Sequence, residues 1–202
     1  MLKKLASEAL GMSDIGVVVD PKDFAKVDAD DYLFHEDGEK VFFLIKSKKD
    51  EYCFTNLALI HVDGDSAVSS KRVIKRYEYA SEPVNNITIE TAGKMDMDAE
   101  LKFSISGLAF SIDVKKSFLE KLKDIYKVLI AIQKRQDSDA SCRENAGRVL
   151  EATSSMYRFD SLQNDTAVVQ QFNDLLKHYN GAVLGSFKKR DFTDVFEKYI
   201  AR

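Results

Sequence analysis

Between residues 95 and 105 the chain alternates without a break: Met95, Met97, Ala99, Leu101, Phe103 and Ile105 against Asp96, Asp98, Glu100, Lys102 and Ser104. A period of two sends successive side chains to opposite faces of an extended backbone, so this stretch is predicted as a strand with one buried and one wet face. Asp96, Asp98 and Glu100 then share the wet face. A half-buried strand needs neighbours to hydrogen-bond and an apolar layer beneath it, so the rest of the chain must supply both.

It does so upstream and downstream. "KVFFLIKS", "EYCFT", "LALIHV", "KRVIKRYEY" and "VNNITIET" precede the alternating segment and "LAFSIDV" follows it. Between them stand "KKD", "DGDS", "SEP", "AGK" and "SG", residues that favour tight turns. Seven short strands with short connectors point to an antiparallel barrel or sandwich. After residue 115 the period changes: Phe118, Leu122, Ile125, Leu129 and Ile132 repeat every three or four residues, the seam of an amphipathic helix. The polar run "QKRQDSDASCRE" that follows is either a solvated continuation of this helix or a linker. Ala146, Val149, Leu150, Thr153, Met156 and Tyr157 form a second helical stripe, and Val168, Val169, Phe172, Leu175, Leu176 and Tyr179 a third. A turn near "FDSLQND" would fold these two into a hairpin, with Asp165 as N-cap and Asn180-Gly181 as stop. A last helix is expected at 189–200, and a short amphipathic one at 2–10, docked on its own domain or a neighbour rather than on a membrane.

Charge narrows the function classes. Residues 1–115 hold 15 basic and 21 acidic side chains, whereas 116–202 hold 15 and 12. Opposite-signed halves can attract within or between chains. Neither is basic enough for a nucleic-acid module. No run approaches the roughly 20 apolar residues of a membrane span, and "MLKKLASEALGM" lacks the apolar core of a signal peptide, so a cytoplasmic location is expected. Cys53 and Cys142 are expected as free thiols.

No reaction can be read from the chain. "DMDAEL" opens like an EF-hand loop, but Leu101 stands where glycine is required and Gly107 where glutamate is required. His35, His61 and His178 lie in separate segments without a zinc-binding spacing. No nucleophile elbow, phosphate loop or dinucleotide fingerprint is present. The expectation is therefore no enzyme, no cofactor and no metal. One basic cluster, Lys46, Lys48 and Lys49 at the first hairpin with Lys71, Arg72, Lys75 and Arg76 on a later strand, could hold an anionic headgroup or phosphate. Its commoner role is to keep a turn soluble and a strand edge unpaired.

Two stretches carry a resemblance: "LFHEDGEKVFFLIKSKKDEYCFTNLALIHVDGDS", with Gly-Glu before the first strand and "FTN" entering the third, and "ITIETAGKMDMDAELKFSISG", with Glu90, Thr91, Gly93, Asp96, Asp98, Glu100 and Gly107 in order. The chain resembles the bacterial pleckstrin-homology-like (PH-like) family over about residues 10–134. It departs from it at "KSKKDEY", where relatives tend to have Arg-Asp before the second strand. The resemblance implies an α+β fold: a strongly bent seven-stranded antiparallel sheet, or partly open barrel, capped by a long helix and followed by an α-helical hairpin. The corresponding domains are 1–134 and 135–202. It also implies a cyclic homo-oligomer, a ring in which strands of neighbouring copies meet and expose a shared polar surface. The expected function is a non-catalytic interaction or scaffold module. Its partners would be itself and an unidentified protein, without nucleic acid and with membrane contact not favoured. Glu90, Thr91, Asp96, Asp98 and Glu100 are the expected interaction surface. The alternative is peripheral binding of an anionic lipid or phosphate-bearing ligand through Lys46, Lys48 and Lys49.

Overall fold

The computed structural model describes residues 14–64, 72–91, 98–156, 166–181 and 190–200. The predicted helix at 2–10, the turn at 159–165 and Asp165 lie outside them. All seven expected strands form: β2 (Val41–Lys46), β3 (Glu51–Thr55), β4 (Ala58–Gly64), β5 (Arg72–Glu78), β6 (Val84–Thr91), β7 (Asp98–Ile105) and β8 (Leu108–Lys115). An eighth, β1 (Val17–Val18), precedes them. Two residues are too few to leave a periodic signal. β1 to β5 make one antiparallel sheet in sequence order, and β6 to β8 make a second. Gly16 pairs with Val114 and joins the first edge of one sheet to the last strand of the other. A Cβ at Gly16 would lie 2.8 Å from Ile45 and 3.0 Å from the Asp113 carbonyl, which explains glycine at this close crossing. The sheets do not close into a barrel.

Local chemistry sets the turns. Ser106 and Gly107 both have positive φ, 50° and 81°, as a two-residue primed turn requires, and Ile105 pairs with Leu108 across it. The Ser47 hydroxyl accepts the Asp50 amide at 3.0 Å in the β2–β3 hairpin. Thr55 Oγ1 accepts the amides of Leu57 and Ala58 at 3.1 and 2.9 Å, turning β3 into β4.

The two sheets differ in how they are covered. The inner faces of both enclose the main core, where Phe54, Leu101 and Ile105 meet Leu122, Ile125 and Leu129 of the following helix. The outer face of the larger sheet is also covered: two 3-10 segments, Pro21–Lys26 and Asp28–Tyr32, lie over a second cluster that includes Val27, Ala29, Leu44 and Ile60, and a third, His35–Asp37, follows them. Burial on both faces is why β2 and β4 read as apolar runs instead of alternating.

The buried carboxylates inside this double layer are paired. Glu39 accepts the Phe34 amide at 2.9 Å, the Thr55 hydroxyl at 2.6 Å and Arg76 Nη1 at 3.0 Å. Glu51 is buried with Lys46, forms an ion pair with it, and accepts the Ala29 amide at 2.9 Å.

The helix after β8, α1, runs unbroken from Leu119 to Met156, so the polar run and the second stripe continue one helix. α2 (Thr166–Gly181) and α3 (Thr193–Tyr199) follow. The chain forms two compact units, one of residues 1–133 with 191–202 and one of 134–190. The boundary falls within α1, and the terminal helix belongs to the first unit rather than to the C-terminal extension. Phe192, Val195 and Phe196 supply the reason, since all three are buried in the main core. In the second unit, by contrast, none of the α1 and α2 residues whose burial is described is buried. Cys53 and Cys142 are free thiols.

Candidate interaction surface

The outer face of the β6–β7–β8 sheet is the wet face that the alternation of β7 predicts. Register builds it: Glu90 pairs with Glu100, and Glu100 with Asp113, so three carboxylates cross the sheet in one row. The next row holds Thr88, Lys102 and Ser111, and on the other side Asp98 faces Lys115. Like charges directly opposite one another on a sheet repel. Lys102 offsets this, reaching Glu90 at 2.8 Å and Glu100 at 2.9 Å, while the Ser111 hydroxyl donates to the other Glu100 oxygen.

The arrangement divides the acids electrostatically. The Ser111 hydroxyl and Lys102 hold the Glu100 carboxyl below its ordinary range, and Glu90 and Glu100 raise Lys102 above its own. Partial burial, then the charges of Glu100 and Asp98, push Asp113 up. Glu90, Thr91, Asp98, Glu100 and Asp113 line one depression of about 180 Å³.

Of the residues singled out in the sequence, Glu90, Thr91, Asp98 and Glu100 therefore come together, and Asp96 lies outside the described residues. Asp113 and Lys102 complete the surface. Asp113 could have been found by counting back from the Ser106-Gly107 turn, because pairing Ile105 with Leu108 brings Glu100 opposite Asp113. Among the described residues no group of His, Cys, Asp or Glu has the geometry to hold a metal ion.

The basic cluster fares differently. Lys46 does not share a surface with Lys48 and Lys49: it is 8% exposed and tied to Glu51, because its place in β2 turns it under the 3-10 cover. Lys48 and Lys49 are exposed at the hairpin. Lys75 pairs with Asp63 at 2.8 Å, and Arg76 with Glu39 and Glu78 at 3.0 and 2.8 Å. His61 stacks on Tyr52, ring centres 4.5 Å apart, with its Nε2 3.1 Å from an Asp50 oxygen. Burial raises the Cys53 thiol well above its ordinary range, which keeps it in the unreactive protonated form.

A bent pair of antiparallel sheets with a helix packed across the inner face defines a PH-type module. The bacterial PH domain model matches residues 9–133, and the chain belongs to that family. It is 46% identical, over 99% of both chains, to the uncharacterized protein YvbH of Bacillus subtilis (strain 168). It is 38% identical to the uncharacterized protein YjqA of the same organism over 48% of this chain and 76% of the relative. A PH-domain-containing bacterial protein from Exiguobacterium sibiricum 255-15 superposes with a TM-score of 0.81 at 46% identity, over 93% of this chain and all of the other. That likeness extends past the PH portion into the C-terminal helices. No helix among the described residues is long and apolar enough to cross a membrane.

Proposed function

We propose that the chain is a non-catalytic interaction module whose copies assemble head to tail, through their strand edges, into a closed ring. The observation that carries this reading is that both sheets stay open. β5 ends the larger sheet and β6 the smaller, and among the described residues no strand pairs with the outer side of either. Unpaired edges invite a strand from another chain.

The two edges differ in charge. β5 carries Arg72, Lys75 and Arg76 beside Glu78, each basic group also paired with an acid of its own chain, whereas β6 has no basic residue and borders the carboxylate row. A β5 edge meeting the β6 edge of the next copy is a heterologous contact, which generates a ring when the rotation closes. Glu90, Thr91, Asp98 and Glu100 would then form part of a continuous polar face along the ring, offered to a further protein partner.

The test uses Val73, 43% exposed on β5. A lysine there blunts the edge without entering the core. Val73→Lys is expected to keep its circular dichroism spectrum and fall to the mass of one chain in size-exclusion light scattering. An unchanged native mass would remove the β5 edge from the contact.

A further inference from the structure

The C-terminal helix contacts the first unit as a bound peptide would. Asn56, in the turn between β3 and β4, meets it from 135 residues away in sequence: its side-chain amide donates to Asp191 at 3.2 Å. Its carbonyl accepts the Phe192 amide at 2.9 Å. Asp191 also accepts the Thr193 amide at 2.7 Å and starts the helix. Phe192, Val195 and Phe196 follow at i, i+3 and i+4, one helical face, and are 1%, 5% and 0% exposed. Phe196 lies 5.1 Å from the Phe42 ring, and Phe192 lies 5.7 Å from that of Tyr79.

The anchoring contacts run from Asp191 to Phe196, and Tyr199 and Ile200 add partly buried apolar contact to the same core. A helix of seven residues has almost no helicity of its own in water, so the recess imposes its order. The recess itself is built from strands and a turn of the first unit, and both "FTN" residues Thr55 and Asn56 are fixed by their own hydrogen bonds to Ala58 and Lys40.

We propose that the recess formed by Phe42, Asn56 and Tyr79 is a peptide-binding site for an Asp-Phe-x-x-Val-Phe helix, closed in cis by this chain's own terminus and open to the terminus of a second copy when that one is released. Recognition has three parts: the carboxylate read by the Asn56 amide, one backbone hydrogen bond that fixes register, and two aromatic side chains seated on Phe42 and Tyr79. This is the helix-in-groove mode, with anchors on a single face. The proposal does not depend on assembly through strand edges.

The experiment uses the full chain carrying Phe192→Ala and Phe196→Ala together, and a fluorescent peptide of residues 190–202 standing for the terminus of a second copy. Because the terminus is a separable ligand, losing both anchors is expected to undock it and leave the sheets folded by circular dichroism. The peptide should then bind the variant saturably and bind the unmodified chain at least tenfold more weakly. Carrying the same two alanines, the peptide should not bind. A variant that unfolds would show the helix to be an integral part of the core and overturn the proposal. So would a folded variant that ignores the peptide, or equal binding to variant and unmodified chain. The milder Asp191→Ala, which leaves both aromatic anchors, should give an intermediate affinity; no change from the unmodified chain would remove the carboxylate from recognition.

Discussion

The two sheets of this protein use the same strand chemistry to opposite ends. The larger is covered on both faces, by the main core and by the 3-10 segments of residues 21–32, and its buried carboxylates Glu39 and Glu51 are locked to named partners. The smaller is covered on one face only, and its polar residues form a row of charges that solvent reaches. A carboxylate such as Glu39 thus holds the fold together, whereas Glu90 meets only Lys102 on the solvent-facing side of its sheet. Residue type alone does not separate these roles; what lies on the far side of the strand does.

The sharpest way to break this contrast is to truncate buried side chains and open-face carboxylates and compare the costs. Glu39→Ala leaves Arg76 and Thr55 without their buried acceptor and is expected to cost about 3–5 kcal/mol, read by urea denaturation. Leu101→Ala, on the inward side of β7, should cost about 2–5 kcal/mol through the cavity it leaves. On the outward side of the same strand, Asp98→Ala with Glu100→Ala should change stability by no more than about 0.5 kcal/mol per site. If the outward pair cost as much as Leu101→Ala, the open face would be structural after all.

Smaller effects sharpen the picture within the open face. Lys102→Ala exposes Glu90 and Glu100 to each other and should destabilise slightly at low salt, an effect read by urea denaturation that fades with added salt. Asp113 gives the pH dependence. Its carboxyl is raised in the folded state by partial burial, then by Glu100 and Asp98, so the native protein holds that proton more tightly than the unfolded chain. Stability from this group is therefore greatest below the ordinary carboxylate range and declines as pH rises through the raised value. Asp113→Asn should match the unmodified protein at low pH and exceed it by a few tenths of a kcal/mol at neutral pH. Thermal melts across that range would show a constant offset instead if repulsion in the row were absent.

The same contrast explains what could be read from the sequence. β7 was legible because one wet face produces strict alternation, and the Ser106-Gly107 turn fixed the register of its partner. The seam Leu122, Ile125, Leu129 and Ile132 was legible because it faces a single core. The cover over the larger sheet was not: residues 21–33 form short 3-10 turns with few apolar anchors, among them Val27, Ala29 and Leu33, which have neither period. A lysine in a hairpin is expected on the surface, and the burial of Lys46 depends on Glu51 and the cover above it, which no local pattern shows. The terminal helix had the right spacing at Phe192, Val195 and Phe196. Its return to the first unit depends on Asn56, 135 residues distant from Asp191, and no local pattern encodes that. Gly38 and Glu39, the Gly-Glu before the first long strand, are an αL cap with φ of 76° and the buried acceptor that ties three segments together.

Assembly through the open edges is the central claim, and the native mass of the full chain tests it most directly. Size-exclusion chromatography with light scattering, at low and at high salt, is predicted to give one discrete species at a whole-number multiple of 22.9 kDa, loosened by salt as the basic β5 edge and acidic β6 face are screened. A single species of 22.9 kDa at every concentration and both salt levels would contradict the account.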